Sequence, residues 1–258
     1  MDVIIFAGQS NMQGQSDCLS ENQVVQNAFE YKWLTDQLVP LKNPVGEDIT
    51  YDLTKGCYFD GKTITPSDWR NKHVTGSACY GYTNLVPAFC RRYLKDVDTQ
   101  VTAVHVAKGS TTILNWLPDT KAYQVLVQKA SGAIKKANAK NVYFVWLQGE
   151  SDALESRSKK EYKQHLLTLC TALKKDLGIK FFGIIRVGRF TNDQRDLEII
   201  NAQDEICIEN NNFVMLTEIA TDLNTKSEYM NPNAVGHFNA KGLELLGSSA
   251  CEGLLKNI

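Results

Sequence analysis

Five short apolar runs, separated by stretches of helical period, constrain this chain more than any other feature of its sequence. They occupy residues 3–7, 101–107, 142–147, 181–187 and 213–217, and each is nearly continuous in Val, Ile, Leu, Phe and Ala. A strand with one wet face alternates polar and apolar residues, whereas a continuous run needs cover on both faces. Between the runs lie helical patterns at 84–93, 122–137, 158–177, 199–208 and 240–255. The strongest opens on Ser158, with Glu161 three residues on, as a capping box. Tyr162, Leu166, Leu169, Leu173 and Leu177 then form one apolar stripe, and Gly178 supplies a stop. Strand and helix in alternation predict an α/β fold: a three-layer sandwich with a parallel sheet of about five strands and helices on both faces.

Residues 15–80 interrupt the alternation. They are rich in Asn, Asp, Gly and Thr, show no clear period, and read as a long loop insertion into a single domain spanning 1–258. Such an insertion is either part of a substrate cleft or a surface excursion.

Composition excludes several classes. The net charge is -1 with no basic block, which gives no support for nucleic acid or a polybasic membrane surface as partner. No apolar run approaches the roughly 18 residues of a membrane span. The start of the chain lacks a basic leader region, so the sequence as it stands reads as cytoplasmic, or as secreted if a leader has been removed. The seven cysteines (Cys18, Cys57, Cys79, Cys90, Cys170, Cys207 and Cys251) are odd in number and include no C-x-x-C pair, which argues against a zinc site. They read as reduced, with Cys170 and Cys207 in helices; one disulfide among the loop cysteines stays open.

Four polar clusters come after the apolar runs, where open parallel sheets bind ligands. After the first comes Gly8-Gln9-Ser10-Asn11-Met12, which places a serine at a strand end. Ser10 reads either as a nucleophile or as a helix cap. The nucleophile elbow G-x-S-x-G does not fit, because position 12 is Met. The second cluster is Lys108-Gly109-Ser110-Thr111-Thr112, where Gly109 lets a backbone N–H approach a ligand. The third, Gln148-Gly149-Glu150-Ser151-Asp152, offers an amide and two carboxylates. The last, 231–239, holds His237 in a Gly/Asn-rich loop before the final helix. A histidine can take a serine's proton near neutral pH. Of the other histidines, His105 falls in a strand, His165 in a helix and His73 in the insertion.

These clusters resemble the SGNH hydrolases, in particular the sialate O-acetylesterase and acetylxylan esterase branch (carbohydrate esterase family six). Residues 8–14, Gly-Gln-Ser-Asn-Met-Gln-Gly, are similar to that branch's G-Q-S-N-M-x-G block. Residues 107–113 with Trp116 resemble A-x-G-G-[ST]-x-I-x-x-W, and residues 148–152 resemble the Q-G-E-x-D part of its third block. Residues 236–239 resemble the terminal histidine block. The chain departs from the pattern at Leu147, where the branch has His, and at Ser110, where it has a second Gly. It departs again at Ala234, where the branch has Asp three residues before the histidine.

The resemblance implies a flavodoxin-like SGNH fold and an O-acetyl esterase with no metal or organic cofactor. Its partner would be an acetylated carbohydrate, not nucleic acid or membrane. It implies Ser10 as nucleophile and His237 as base, with the Ser10 and Gly109 N–H groups and the Gln148 amide around the oxyanion. With no Asp at position 234, Glu150 is the carboxylate expected to orient His237. Asn233, Asp152, Asp222 or a backbone carbonyl are the alternatives. Two other functions stay open: an SGNH lipase or lysophospholipase acting on longer acyl chains, and a carbohydrate-binding module without catalysis.

Overall fold

The computed structural model describes residues 1–17, 23–46 and 83–258. Its frame is the expected α/β sandwich. All five predicted runs are strands: β1 (Asp2–Gly8), β4 (Val101–Ala107), β5 (Asn141–Leu147), β6 (Phe182–Ile185) and β7 (Phe213–Thr217). Two further strands, β2 (Ala28–Lys32) and β3 (Gln37–Pro40), lie inside the segment read as a loop insertion. The described sheet therefore has seven strands, not about five, in the order β3-β2-β4-β1-β5-β6-β7. Every neighbouring pair is parallel except β2 and β3, which form an antiparallel pair at one edge.

The helices are α1 (Ser10–Gln13), α2 (Val86–Asp96), α3 (Lys121–Ala137), α4 (Glu150–Leu154), α5 (Lys159–Leu177), α6 (Gln194–Glu209), α7 (Ala220–Asn224) and α8 (Ala240–Leu255). α2 and α8 pack together on one face; α3, α5 and α6 cover the other. In α5 the capping box forms as expected: the Glu161 N–H donates to Ser158 Oγ and the Ser158 N–H to the Glu161 carboxylate. Gly178 closes the helix in the left-handed region at φ 65°. All five residues of the apolar stripe are buried.

Aromatic rings cement both layers. Phe6 meets Phe89 of α2 edge-on, with centroids 5.1 Å apart. On the other face Trp146 meets Trp116 at 5.7 Å. Burying each such side chain is worth about 1.5–3 kcal/mol.

The register of the central strands positions the site. Gly8 pairs with Ala107 on one side and with Leu147 on the other. The three strands therefore end flush, and the residues after each emerge at one sheet edge. Gly8 makes this close packing possible: at φ 149°, a Cβ there would lie 2.0 Å from the Leu147 carbonyl oxygen.

Candidate active site

Ser10 stands two residues beyond β1, at the first position of α1. The first N–H groups of a helix have no intrahelical acceptor, so the serine's own N–H is available to a ligand. Ser10 and His237 line one cleft of about 180 Å³, together with Gln9, Gln15, Ser110, Ser151, Leu154, Phe190, Ala234 and Val235.

His237 sits on a tight loop before α8. The loop is closed by the Asn231 N–H donating to the His237 carbonyl at 2.8 Å and the His237 N–H donating to the Ala234 carbonyl at 3.1 Å. Its imidazole Nδ1 pairs with the Val235 carbonyl oxygen at 2.9 Å. That bond fixes Nδ1–H, which leaves Nε2 unprotonated as the basic nitrogen. Burial pushes the His237 pKa below the usual histidine value, with the carbonyls of Val235 and Ala234 opposing in part. Phe190 meets the imidazole edge-on at 6.0 Å.

Glu150 does not hold this ring. It is buried, and its Oε1 accepts from Asn11 Nδ2 at 2.8 Å, while Oε2 has no partner among the described residues. Burial raises its pKa and the Asn11 bond opposes the rise. The expectation that Glu150 orients His237 is corrected by this geometry: the ring nitrogen is held by a backbone carbonyl. Among the described residues, Glu150 reaches the histidine loop through Asn11, whose amide also donates to the Gly236 carbonyl at 3.3 Å and accepts from the Phe238 N–H at 3.3 Å. Asn233 and Asp222 are exposed, and Asp152 braces its own loop against Arg157 and the Ile113 N–H.

Gln148 also departs from its expected place at the oxyanion. It is fully buried and does not line the cleft. Its Nε2 faces Asp152 Oδ2 at 2.5 Å, the Thr111 carbonyl at 3.0 Å and Gln9 Oε1 at 3.2 Å. Its Oε1 accepts from Tyr162. An amide with two hydrogens is saturated by those acceptors, so Gln148 welds the strand ends together instead of facing an oxyanion.

Gly109 lies beside Ser10 without lining the cleft: the point its Cβ would occupy is 3.4 Å from Ser10 Cβ. Its N–H donates to Gln13 Oε1 at 2.8 Å. Ser110, where the resemblance expects a second glycine, has a left-handed backbone with φ 61°. A serine in that region carries a strain of about 1–2 kcal/mol that a glycine would not.

The first polar cluster carries more than its serine. Gln9 Oε1 accepts from the Gly149 and Ser151 N–H groups and so docks β1 onto the start of α4. Asn11, Gln13 and Gln15 line or brace the site from the same segment. Their signal in the sequence is that they surround Ser10 at the end of a buried strand. His105, read as structural, is buried in β4 beside the Met12 carbonyl and Asn84. His165 lies in α5, and His73 lies outside the described residues.

A larger hollow of about 730 Å³ lies by β7 and α6, lined by Arg186, Asp204, Cys207 and Glu218. Arg186 is paired there with both Asp204 and Glu218. Burial pushes the Cys207 thiol up to about 12, which keeps it in the thiol form at neutral pH. Cys90, Cys170 and Cys251 are also free thiols; Cys18, Cys57 and Cys79 lie outside the described residues.

Ser10 at the end of the central strand and His237 before the last helix thus share one cleft at the edge of a largely parallel α/β sheet. Residues 1–256 match the model of the family described as carbohydrate esterase, sialic acid-specific acetylesterase. The chain belongs to that family of carbohydrate esterases. It is 21% identical over 221 residues to the "Probable carbohydrate esterase At4g34215" of Arabidopsis thaliana, covering 80% of this chain and 78% of that protein. The solved structure of that Arabidopsis protein superposes with a TM-score of 0.71 at 19% identity, covering 99% and 98% of the two chains. NanS superposes with a TM-score of 0.71 at 17% identity, covering 99% and 97%. XAC1771, a carbohydrate acetylesterase from Xanthomonas citri, gives 0.57 at 15% identity, with all of this chain matching 57% of that one. Among the described residues, no helix is long and apolar enough to cross a membrane.

Proposed function

We propose that the chain hydrolyses acetyl esters on a carbohydrate, of which O-acetylated sialic acid is the first candidate, through an acetyl-Ser10 intermediate. One observation carries the reading: Ser10 and His237 line the same small cleft, with the serine at the head of a helix. Ser10 Oγ attacks the acetyl carbonyl while His237 Nε2 takes its proton. The tetrahedral oxyanion is met by the Ser10 N–H and by the Gly109 N–H, which exchanges Gln13 Oε1 for it. Collapse of the intermediate expels the sugar oxygen, which takes the proton back from His237. Water then attacks the acetyl-serine by the same route, releasing acetate.

The cleft favours a short acyl group. At about 180 Å³ it falls below the roughly 300–1,000 Å³ of sites for drug-sized ligands. Exposed Val235 and Leu154 at its rim give an apolar edge against which a sugar ring can rest. Acetate release from O-acetylated sialic acid, acetylated xylan and nitrophenyl esters of increasing chain length tests the reading. The expected result is acetate from an acetylated sugar and hydrolysis of nitrophenyl acetate far faster than of the octanoate. A preference for octanoate would transfer the enzyme to the lipase-like reading, and hydrolysis of no ester would leave the binding-module reading.

A further inference from the structure

The Gln148 amide is saturated inside the protein, whereas Gln15 carries a side-chain amide into the cleft of Ser10 and His237. Gln15 comes directly after Gly14, which ends α1 in the left-handed region at φ 88°. Its carbonyl accepts from Asn231 Nδ2 at 3.0 Å, and the side chain of the next residue, Ser16 Oγ, accepts the Thr83 N–H at 2.7 Å. The side chain lines the cleft with Ser10 and His237, yet the residue is only 2% exposed. Its Nε2 is buried and, among the described residues, has no hydrogen-bond partner. Buried amides are nearly always satisfied, so an unsatisfied one facing a cleft marks a place where a ligand completes the bonding.

Its position is given by Gly109. The point a Gly109 Cβ would occupy lies 2.8 Å from Gln15 Nε2, 3.2 Å from Gln13 Oε1 and 3.4 Å from Ser10 Cβ. The amide, the nucleophilic residue and the Gly109 backbone thus converge on one point, and a side chain at 109 would push the amide away. We propose that the Gln15 side-chain amide donates a hydrogen bond to the oxyanion formed when Ser10 attacks the ester, in the place expected of Gln148. The proposal rests on Ser10 being the nucleophile.

A donor that meets charge only in the transition state acts on kcat and not on ground-state binding. Gln15→Met keeps length without a donor; Gln15→Glu keeps shape and puts an acceptor there. Both are measured on nitrophenyl acetate beside native enzyme and Ser10→Ala, with thermal melting and inhibition by a phenylboronic acid. Expected for both Gln15 variants are a kcat lower by about 10²–10³, a KM within about threefold of native and boronate inhibition weakened in parallel. Gln15→Met should melt no lower than native, because it removes an unpaired buried amide and no existing bond. If Ser10→Ala is inactive while both Gln15 variants keep kcat within about threefold, the proposal fails and the Ser10 reading stands. A lower melting temperature with unchanged boronate inhibition makes Gln15 structural and also overturns it. If Ser10→Ala keeps native activity, both fail together.

Discussion

Asn11 is the residue whose removal should reveal how the histidine loop is held. Asn11→Ala deletes the 2.8 Å bond to Glu150 and the two 3.3 Å bonds to the loop carrying His237. A bond to a charged group is worth about 1.5–3 kcal/mol and a neutral one about 0.5–1.5. The two loop bonds are long, so the expected total loss is about 2–4 kcal/mol, or roughly 4–8 °C in melting temperature for a chain of this size.

The loss should depend on pH. Burial already raises the Glu150 pKa, and the Asn11 bond works against the rise. Without Asn11 the pKa climbs further. A group whose folded pKa is raised leaves stability intact below its unfolded pKa of about 4.3 and loses it as pH rises through the folded value. The Asn11→Ala deficit should therefore be larger near pH 8 than near pH 5. In a Glu150→Gln background the deficit should shrink and lose its pH dependence. Chemical denaturation of the four proteins at both pH values forms the double-mutant cycle. A deficit equal at the two pH values, or unchanged by Glu150→Gln, would refute the coupling. Activity should fall with stability held adequate, since the loop that aims His237 loses two of its anchors.

The same geometry predicts two further outcomes. Because burial holds the His237 pKa below the usual 6.5, the base is unprotonated early, and kcat/KM should rise to its plateau with an acid limb centred below about pH 6.5; a limb centred above 7 would mean an unrecognised anion beside the ring. Because the Val235 carbonyl, not Glu150, holds Nδ1, Glu150→Gln alone should keep kcat on nitrophenyl acetate within about tenfold of native; a loss of 10²–10⁴, the range for a triad acid, would restore Glu150 to that role.

The strands at the centre of the sheet are legible in the sequence because β1 and β4 are buried along their whole length, which leaves few polar residues to blur the run. β2 is not, because it carries Glu30 and Lys32. Glu30 is buried, satisfied by Lys32 at 3.0 Å and by the Gly46 N–H at 2.8 Å. A pattern of residue types cannot see that neutralisation. β3 is short and partly exposed, and an edge strand needs little apolar character. Ser10 and His237 are legible from their places at a strand end and before a helix. The bond that fixes His237 is not, because its acceptor is a backbone carbonyl, which every residue has. Gln148 illustrates a different limit. An amide in a polar block offers donors, but whether they face the cleft depends on Asp152 and the Thr111 carbonyl, which the fold brings to it.

Acylation of Ser10 is the step on which every role proposed for this site depends. Enzyme mixed with nitrophenyl acetate, quenched in acid and digested, shows by mass spectrometry where an acetyl group is carried. The expected result is one acetyl group on the peptide containing Ser10, absent in Ser10→Ala and formed far more slowly in His237→Ala. An acetyl group carried on another residue, or native turnover by Ser10→Ala, would contradict it.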